Sequence, residues 1–187
     1  LGREFAGHWV HNGFVEVGGE KMSKSLGNFT TLTELVDQHD PRAYRLLVLQ
    51  SHYRSPVEVT AATIADAEAA LDRLDTLARR VADVPDAEPE AESIEAFRTF
   101  MDNGLNTPGV YALVFGLVTE INRRLDAGES DSAAPQVAAW RAILDAVGLV
   151  PDASVDDVPE QVAALAVQRD EARASKDWAT ADALRDQ

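Results

Sequence analysis

Residues 18–28 read Gly-Gly-Glu-Lys-Met-Ser-Lys-Ser-Leu-Gly-Asn, and this stretch carries the strongest chemical signal in the chain of 187 residues. Lys21 and Lys24 are separated only by Met-Ser, and glycines bracket the pair. Glycine gives the backbone freedom that an amphipathic helix does not need, so the pattern predicts a mobile loop. Paired ammonium groups on long stems suit a triphosphate. The loop is therefore predicted to bind ATP.

The same segment supplies the candidate site residues. We expect Lys21 and Lys24 to be catalytic, and we expect an ATP-binding set of Lys21, Met22, Ser23, Lys24 and Ser25. Small residues allow backbone N–H groups to approach phosphate oxygens, and the loop can close over the nucleotide as pyrophosphate begins to leave. Mg²⁺ is expected to enter with ATP. Deleting one preorganised donor costs on the order of 10² to 10³ in rate, which is the effect expected for Lys24→Ala.

The regions on either side of the loop predict regular structure. Upstream, Phe14 to Val17 is apolar and runs into Gly18-Gly19, which predicts a strand ending in a tight turn. Downstream, Asp40-Pro41 is a good helix start, and a helix is predicted from about 41 to 53. Thr60 is expected to cap a longer helix. Its apolar residues recur at spacings of three and four and predict one buried stripe: Ile64, Ala67, Leu71, Leu74, Ala78 and Val81.

The second half of the chain predicts a helical bundle. Residues 84–92 are rich in Pro, Ala, Asp and Glu and have little to bury, so they predict a mobile linker and the best domain boundary. Four further helices are predicted to begin at Ser93, Thr107-Pro108, Pro135 and Pro159. The third of them should run to Val147 and end at Gly148, and the last should break near Lys176-Asp177. Apolar residues at helical spacing favour packing of these helices together.

Charge and composition restrict the functional classes. The net charge is −15, with 32 acidic residues against 17 basic ones, which argues against broad electrostatic binding of nucleic acid and leaves room for local arginine patches only. An acidic surface with few lysines also suits a salty cytoplasm, where ions screen the self-repulsion. The chain has no cysteine, and it contains neither a membrane-spanning apolar run nor a signal peptide. A cytoplasmic protein without membrane contact is predicted.

Beyond the signature segment, the flanks also carry a resemblance. The eight residues Lys21 to Asn28 reproduce the second signature of class I aminoacyl-tRNA synthetases without a mismatch. Four further stretches resemble cysteinyl-tRNA synthetases: His11 to Val15, Ser51 to Pro56, Phe97 through Pro108, and Ala174 to Asp186. The resemblance runs through nearly the whole chain and points to a carboxyl-terminal portion that begins just before the loop. Because the chain starts at Leu1, within what reads as an amphipathic segment, we expect it to be part of a longer protein.

The resemblance implies a mainly α fold in four parts. Residues 1–31 would be the end of a class I catalytic domain, a short strand and loop that carries the signature. Residues 32–84 would form a helical stem-contact region, 85–92 a linker, and 93–187 an antiparallel helical bundle that binds the anticodon side of tRNA. The implied activity is ATP-dependent activation of cysteine and its transfer to tRNA(Cys), with the role of the ATP-contacting lysine falling on Lys24 and Lys21 as its partner.

The family also implies groups that this chain does not contain. The amino-terminal catalytic half, with its His-x-Gly-His signature and its zinc ligands, is expected as the partner of this chain. No metal site is therefore predicted within it, and the chain alone is expected to be inactive. Two alternatives stay open: a ligase that joins cysteine to a sugar amine through the same adenylate, and a non-catalytic helical module that binds tRNA or a protein.

Several other residues are weaker candidates. Arg54, Arg123 and Arg124 are candidate tRNA contacts, and Arg54, which follows a predicted helix end, is the first choice for contact with tRNA or with the catalytic loop. For Arg123 and Arg124 a solvated helix face is favoured, because helices commonly carry arginines beside acidic residues. The same holds for the run Arg169, Arg173 and Lys176. His8 and His11 share a spacing compatible with metal ligation but lack a third ligand, so capping or buried hydrogen bonding is favoured. Core packing is favoured over base stacking for the tryptophans Trp140 and Trp178.

Overall fold

The computed structural model describes residues 5–23, 25, 27, 31–154, 165, 167–170, 172–173 and 177–185. Contacts divide the chain into two compact units, residues 1–153 and 154–187. The fold is mainly α, with one small sheet, as the sequence predicted. None of the helices in these described ranges combines the length and the apolar character that crossing a bilayer requires.

The first unit begins with a three-stranded sheet in the order β2-β1-β3. Strand β1 (Val15–Val17) pairs antiparallel with β2 (Glu20–Lys21) across a turn at Gly18 and Gly19, whose φ angles are 61° and 77°. These left-handed angles favour glycine, and the predicted strand and tight turn are confirmed. Strand β3 (Val57–Glu58) pairs parallel with the other edge of β1. The sequence did not predict β3, because two residues carry no alternation.

Two short helices follow the sheet. Helix α1 (Leu32–Gln38) starts with a capping box between Thr31 and Glu34, and the hydrogen bonds from Thr31 lower the pKa of Glu34. Helix α2 (Pro41–Leu49) begins as predicted, with Asp40 accepting from the backbone N–H of Arg42. The predicted end at 53 is wrong: Gln50 caps α2, and the following residues turn back towards the sheet.

Helix α3 (Ala61–Arg80) forms one wall of the core. Thr60 caps it, as predicted, and its hydroxyl accepts from the N–H of Thr63. Every residue of the predicted stripe, from Ile64 to Val81, is buried. The period of three and four therefore identified the inward face of this helix correctly.

The starts of the next helices differ from the predictions in two places. Helix α4 (Ala91–Asp102) begins two residues before Ser93, whose buried hydroxyl donates back to the carboxylate of Glu90 from inside the first turn. Helix α6 (Ser130–Ala146) begins five residues before Pro135, which lies within it. Pro135 is the sixth residue of α6 and lies beyond the first four N–H groups, which have no helical partner, so the prediction that this proline opens the helix is wrong. The carbonyl of Pro135 accepts from the N–H of Glu90 at 2.9 Å and fixes the start of α4.

Helices α2, α3, α5 (Thr107–Asp126) and α6 supply most of the buried side chains of the first unit. Helix α5 starts as predicted. The predicted stop Gly148 has a φ angle of 66°, and Gly128, which follows α5, has one of 75°. The core prediction for Trp140 is confirmed, since its exposed fraction is 1%. One apolar cluster includes residues on both sides of 85–92, so contacts do not separate the chain there. That residues 85–92 link two domains, as the four-part division predicts, stays a prediction.

The second unit includes a terminal helix, Trp178–Arg185. Asp177 accepts from the backbone N–H and the hydroxyl of Thr180, and these bonds lower the pKa of Asp177. The core prediction for Trp178 is wrong, because its exposed fraction is 60%. The predicted helix start at Pro159 lies outside the described residues. So does Lys176 of the predicted break near Lys176-Asp177, whereas Asp177 is described and lies just before the helix that begins at Trp178.

Candidate nucleotide-binding hairpin

The β1–β2 hairpin presents Lys21 to solvent. Lys21 lies on β2 opposite Glu16 of β1, and its ammonium is 4.0 Å from the centroid of the Phe14 ring. The ring face attracts the cation and holds it on one side of the hairpin. The backbone N–H of Met22 donates to the carbonyl of Val15 at 2.9 Å, so the first residue after β2 is still held against β1.

The described part of the loop after β2 is rich in hydrogen-bonding groups. The hydroxyls of Ser23 and Ser25 lie 3.2 Å apart, and Gly27 has a φ angle of 69°. An exposed ammonium, two hydroxyls and open backbone suit phosphate oxygens. Lys21, Met22, Ser23 and Ser25 are thus together on one hairpin and its exit, whereas Lys24 lies outside the described residues.

The base of the hairpin is held by the loop that follows α2. The N–H of Gly13 donates to the carbonyl of Tyr53 at 2.7 Å, and the N–H of Val57 donates to the carbonyl of Phe14 at 2.9 Å. A side chain at Gly13 would put its Cβ 2.2 Å from the carbonyl oxygen of Ser55. Only glycine permits this close approach, so Gly13 sets the position of the hairpin on its support.

The three arginine candidates differ in their surroundings. The exposed Arg54 places its guanidinium 5.1 Å from the centroid of the Tyr53 ring. Arg123 and Arg124 both donate to the carboxylate of Glu120, at 2.7 Å and 2.9 Å, and these bonds lower the pKa of Glu120 to about 2. They therefore form a surface ion-pair cluster on α5, the arrangement that the sequence favoured for them. A role in RNA contact stays a prediction for all three.

Metal ligands are not clustered in the described part of the chain. His8 and His11 are exposed, and the ranges searched contain no group of three or more His, Cys, Asp or Glu side chains able to hold a metal ion. Sequence reasoning also missed His52, which bonds to two separate backbone segments. Its neighbours Tyr53 and Arg54 drew attention through their aromatic and cationic character, whereas its contact at Gly104 is remote in sequence and leaves no local pattern.

Comparisons with known proteins agree with this geometry. Residues 1–69 match the family described as tRNA synthetases class I (C) catalytic domain, and residues 96–150 match the DALR domain family. The first match includes the hairpin, α1 and α2, and the second covers part of α4 and all of α5 and α6. The two matches lie on opposite sides of residues 85–92.

Curated relatives match nearly the whole chain. A cysteine–tRNA ligase of Cutibacterium acnes is 38% identical over 205 residues, which cover 99% of this chain and 42% of the relative. A cysteine–tRNA ligase of Shewanella sp. (strain MR-7) is 38% identical over 97% of this chain and 41% of its own length. One of Pseudomonas paraeruginosa is 37% identical over 100% of this chain and 42% of its own length. The chain therefore spans about two fifths of the relatives that it matches, and it belongs to the class I aminoacyl-tRNA synthetases as a counterpart of the carboxyl-terminal portion of cysteinyl-tRNA synthetases.

Proposed function

We propose that the protein to which this chain belongs activates cysteine with ATP and transfers the cysteinyl group to tRNA(Cys). The observation that carries the proposal is the signature Lys21 to Asn28 at the exit of a glycine-turn hairpin, in a chain similar to proteins named cysteine–tRNA ligase. The DALR match over residues 96–150 adds support, since helices beyond the catalytic part suit a substrate as large as tRNA.

Lys21 and Lys24 would act on the triphosphate of ATP. Negative charge moves onto the leaving pyrophosphate as the adenylate forms, and ammonium groups fixed near those oxygens stabilise the transition state more than the ground state. Lys21 has a defined place on β2, so it would orient the phosphates. Lys24 would close with the loop, in contact with the charge that develops.

The metal groups of the family enter this proposal to different extents. Mg²⁺ would arrive with the nucleotide, and the Ser23 and Ser25 hydroxyls and loop backbone would contact its phosphate oxygens. Zinc is different: the chain has no cysteine, and its described residues include no cluster of three potential ligands. No step of the chemistry of this chain is therefore assigned to zinc.

The helices from Ser93 onward would hold the anticodon side of tRNA(Cys), with Arg54, Arg123 and Arg124 as contacts to test. The net charge of −15 makes a few placed arginines more plausible than a broad basic surface. Arg123 and Arg124 are already paired with Glu120, so phosphate would have to compete with that carboxylate. Their contribution should therefore be smaller than that of Arg54.

The test is ATP–pyrophosphate exchange with cysteine, measured on the complete gene product. Lys24→Ala should slow exchange on the order of 10² to 10³-fold, and Lys21→Ala should slow it to a smaller extent. Lys176, the third lysine of the chain, provides the matched control, because Lys176→Ala removes the same charge outside the signature. Exchange that is unaffected by Lys24→Ala would refute the role of that lysine.

Product analysis separates the alternatives. A tRNA synthetase attaches cysteine to tRNA, whereas the sugar-amine ligase would consume the adenylate with an amino sugar and ignore tRNA. The DALR match and the helices α4 to α6 favour the synthetase. A complete protein that binds tRNA but catalyses no exchange would be the non-catalytic module.

A further inference from the structure

His52 uses both of its ring nitrogens to join two backbone segments. Nε2 lies 3.1 Å from the carbonyl oxygen of Gly104, and Nδ1 lies 3.2 Å from the backbone nitrogen of Arg54. A carbonyl only accepts and an amide N–H only donates, so these two partners assign the proton of a neutral ring to Nε2. The half-buried imidazole thus links the two segments with one donor and one acceptor, and we call this pair of hydrogen bonds the His52 bracket.

One side of the bracket supports the signature hairpin. The His52 ring stacks on Tyr53 with 4.7 Å between centroids, and the carbonyl of Tyr53 accepts from the N–H of Gly13. The carbonyl of His52 accepts from the N–H of Ser55 at 2.8 Å, which closes the turn against which Gly13 packs. The segment from His52 to Ser55 is therefore the direct support of the strand that leads into Lys21.

The other side of the bracket is the turn between α4 and α5. Gly104 has a φ angle of 72°, and Leu105 has one of 54°, a left-handed conformation that an L side chain rarely adopts. The Leu105 side chain is 49% exposed, so core burial does not explain the strain. Local bonds hold the turn instead: the N–H of Leu105 donates to Met101 and the N–H of Asn106 to Phe100. Strained backbone held by surrounding bonds is enriched at functional positions.

We propose that His52 is a positioning residue that couples the α4–α5 turn to the signature hairpin. The inference rests on the proposed function in one respect, since it takes the α4–α5 side to be the one that holds tRNA. A hydrogen bond weakens steeply when its atoms move by less than 1 Å, so a displaced turn would release the support of the hairpin. Binding of tRNA to the helices would in this way bias the place of Lys21 and its loop.

Three variants of the complete protein separate the two bonds of the bracket. His52→Phe keeps an aromatic ring for stacking on Tyr53 but removes both hydrogen bonds. His52→Gln extends an amide N–H to the position of Nε2, so it retains the bond to Gly104. His52→Asn places its amide oxygen near the position of Nδ1, so it retains only the bond to Arg54.

The expected result is a lower rate of tRNA cysteinylation with little change in ATP–pyrophosphate exchange. His52→Phe and His52→Asn should lower the rate of tRNA cysteinylation about tenfold, a usual size for coupling between sites. Without tRNA, the backbone bonds from Gly13 to Tyr53 and from Val57 to Phe14 still hold the hairpin, so ATP–pyrophosphate exchange should stay within about twofold of the parent. His52→Gln should restore cysteinylation to within about threefold of the parent. Equal loss of both activities in His52→Phe, no loss of either, or rescue by Asn instead of Gln would each overturn the proposal.

His39 provides a matched control. Its Nδ1 lies 2.9 Å from the Glu68 carboxylate and joins the end of α1 to α3, so it also links two elements but touches neither side of the bracket. His39→Phe should leave the ratio of the two activities unchanged. If His39→Phe also lowered cysteinylation selectively, any histidine that joins two elements would have this effect, and the specific role of His52 would be overturned.

Amide hydrogen exchange gives a readout that does not depend on activity. His52→Phe should speed the exchange of the backbone amide hydrogens about tenfold at Leu105 and also at Gly13. His52→Gln should leave both rates unchanged. Faster exchange at the turn with no change at Gly13 would overturn the coupling. If the parent does not activate cysteine and the variants still show the expected differences in amide hydrogen exchange, the proposed function fails and the link through His52 stands. If the parent is active and His52→Phe alters neither measurement, the bracket fails.

Discussion

Asp75 and Arg42 face each other through two parallel hydrogen bonds, with Nη1 at 3.0 Å from Oδ1 and Nη2 at 3.1 Å from Oδ2. Asp75 lies on α3 and is nearly buried, and it also accepts from the backbone N–H of Asp152 at 2.8 Å. Arg42 on α2 donates in addition to Asp40 at 2.7 Å. The Arg42–Asp75 ion pair thus also binds the carboxylate of Asp40 and the backbone N–H of Asp152, and it joins three parts of the first unit.

Asp75→Ala should lower the free energy of unfolding by about 2 kcal/mol. Removing one partner of a buried pair costs roughly 3–5 kcal/mol when the other charge is left buried and unpaired. The cost is smaller here, because Arg42 keeps its bonds to Asp40 and is partly exposed. Urea unfolding of the two proteins measures the difference. Glu95→Ala is the control: its pair with Arg98 is exposed at both ends, so a loss of under about 0.5 kcal/mol is expected. Similar losses in the two variants would contradict the account.

Stability should decline in acid partly through Asp40. The hydrogen bond from Arg42 lowers the pKa of Asp40 below its ordinary value, so the unfolded chain binds a proton at a higher pH than the folded one does. The contribution is fully present above about pH 4, the ordinary pKa of an unfolded aspartate, and it is lost as the pH falls through the folded pKa. Unfolding curves between pH 7 and 2 should show a shallower decline for Asp40→Asn. Parallel declines in both proteins would exclude this contribution.

Gly13→Ala should destabilise the hairpin and its support. The added Cβ would meet the carbonyl oxygen of Ser55 at 2.2 Å, and backbone cannot swing aside as a flexible side chain does. Overpacking of this kind costs about 1–3 kcal/mol, which thermal unfolding can measure. Gly7→Ala is the matched control, since nothing lies within 4 Å of its added Cβ. The prediction fails if the two substitutions behave alike.

Two glycines of α5 should respond to alanine with opposite signs. An added Cβ at Gly116 meets nothing within 4 Å, so Gly116→Ala should stabilise the helix by about 0.5–1 kcal/mol. An added Cβ at Gly109 would lie 2.4 Å from the Phe100 ring, so Gly109→Ala should reduce the stability despite the same gain in helix propensity. Denaturant midpoints of both variants provide the test, and a shift of the same sign in both would refute the packing explanation.

The charge of −15 predicts that the protein gains stability with salt. Like charges repel across a folded surface, and ions screen that repulsion with a Debye length of about 30 Å at 0.01 M and about 3 Å at 1 M. The melting temperature should rise as KCl increases from millimolar to molar concentrations. Sucrose of matched osmolarity serves as the control, because it carries no charge. A melting temperature independent of KCl would reject adaptation to a salty cytoplasm.

Features that depend on neighbouring residues were predictable from the sequence. Asp40-Pro41 and Thr60 gave correct helix starts, because an N-cap and its N–H partner lie within three residues of each other. The period of the α3 stripe and the glycine pair after Val17 worked for the same reason. The signature itself led to the family because its meaning resides in eight consecutive residues.

Features that depend on remote partners were not predictable. The start of α4 is fixed by the Pro135 carbonyl of α6, and the end of α2 by the turn that carries His52 back to the sheet. Trp178 looked like a core residue from its alanine-rich neighbours, but burial depends on what packs opposite, which the local sequence does not contain. The candidate site follows the same division. Its lysines lie within a continuous sequence motif and were predicted, whereas the bond between Gly13 and Tyr53 that supports the hairpin joins remote residues and was not.

Strand β3 comes after α1 and α2 in the chain, and yet it forms an edge of the sheet that carries Lys21. During synthesis the ribosome releases the signature hairpin first, with one side of β1 still without hydrogen-bond partners. The nascent hairpin has only two short strands at that stage, which is too little for independent stability. The signature hairpin therefore acquires its support only after the helices behind it have emerged, so a nascent chain stalled between Asn28 and Val57 should not yet hold Lys21 in place.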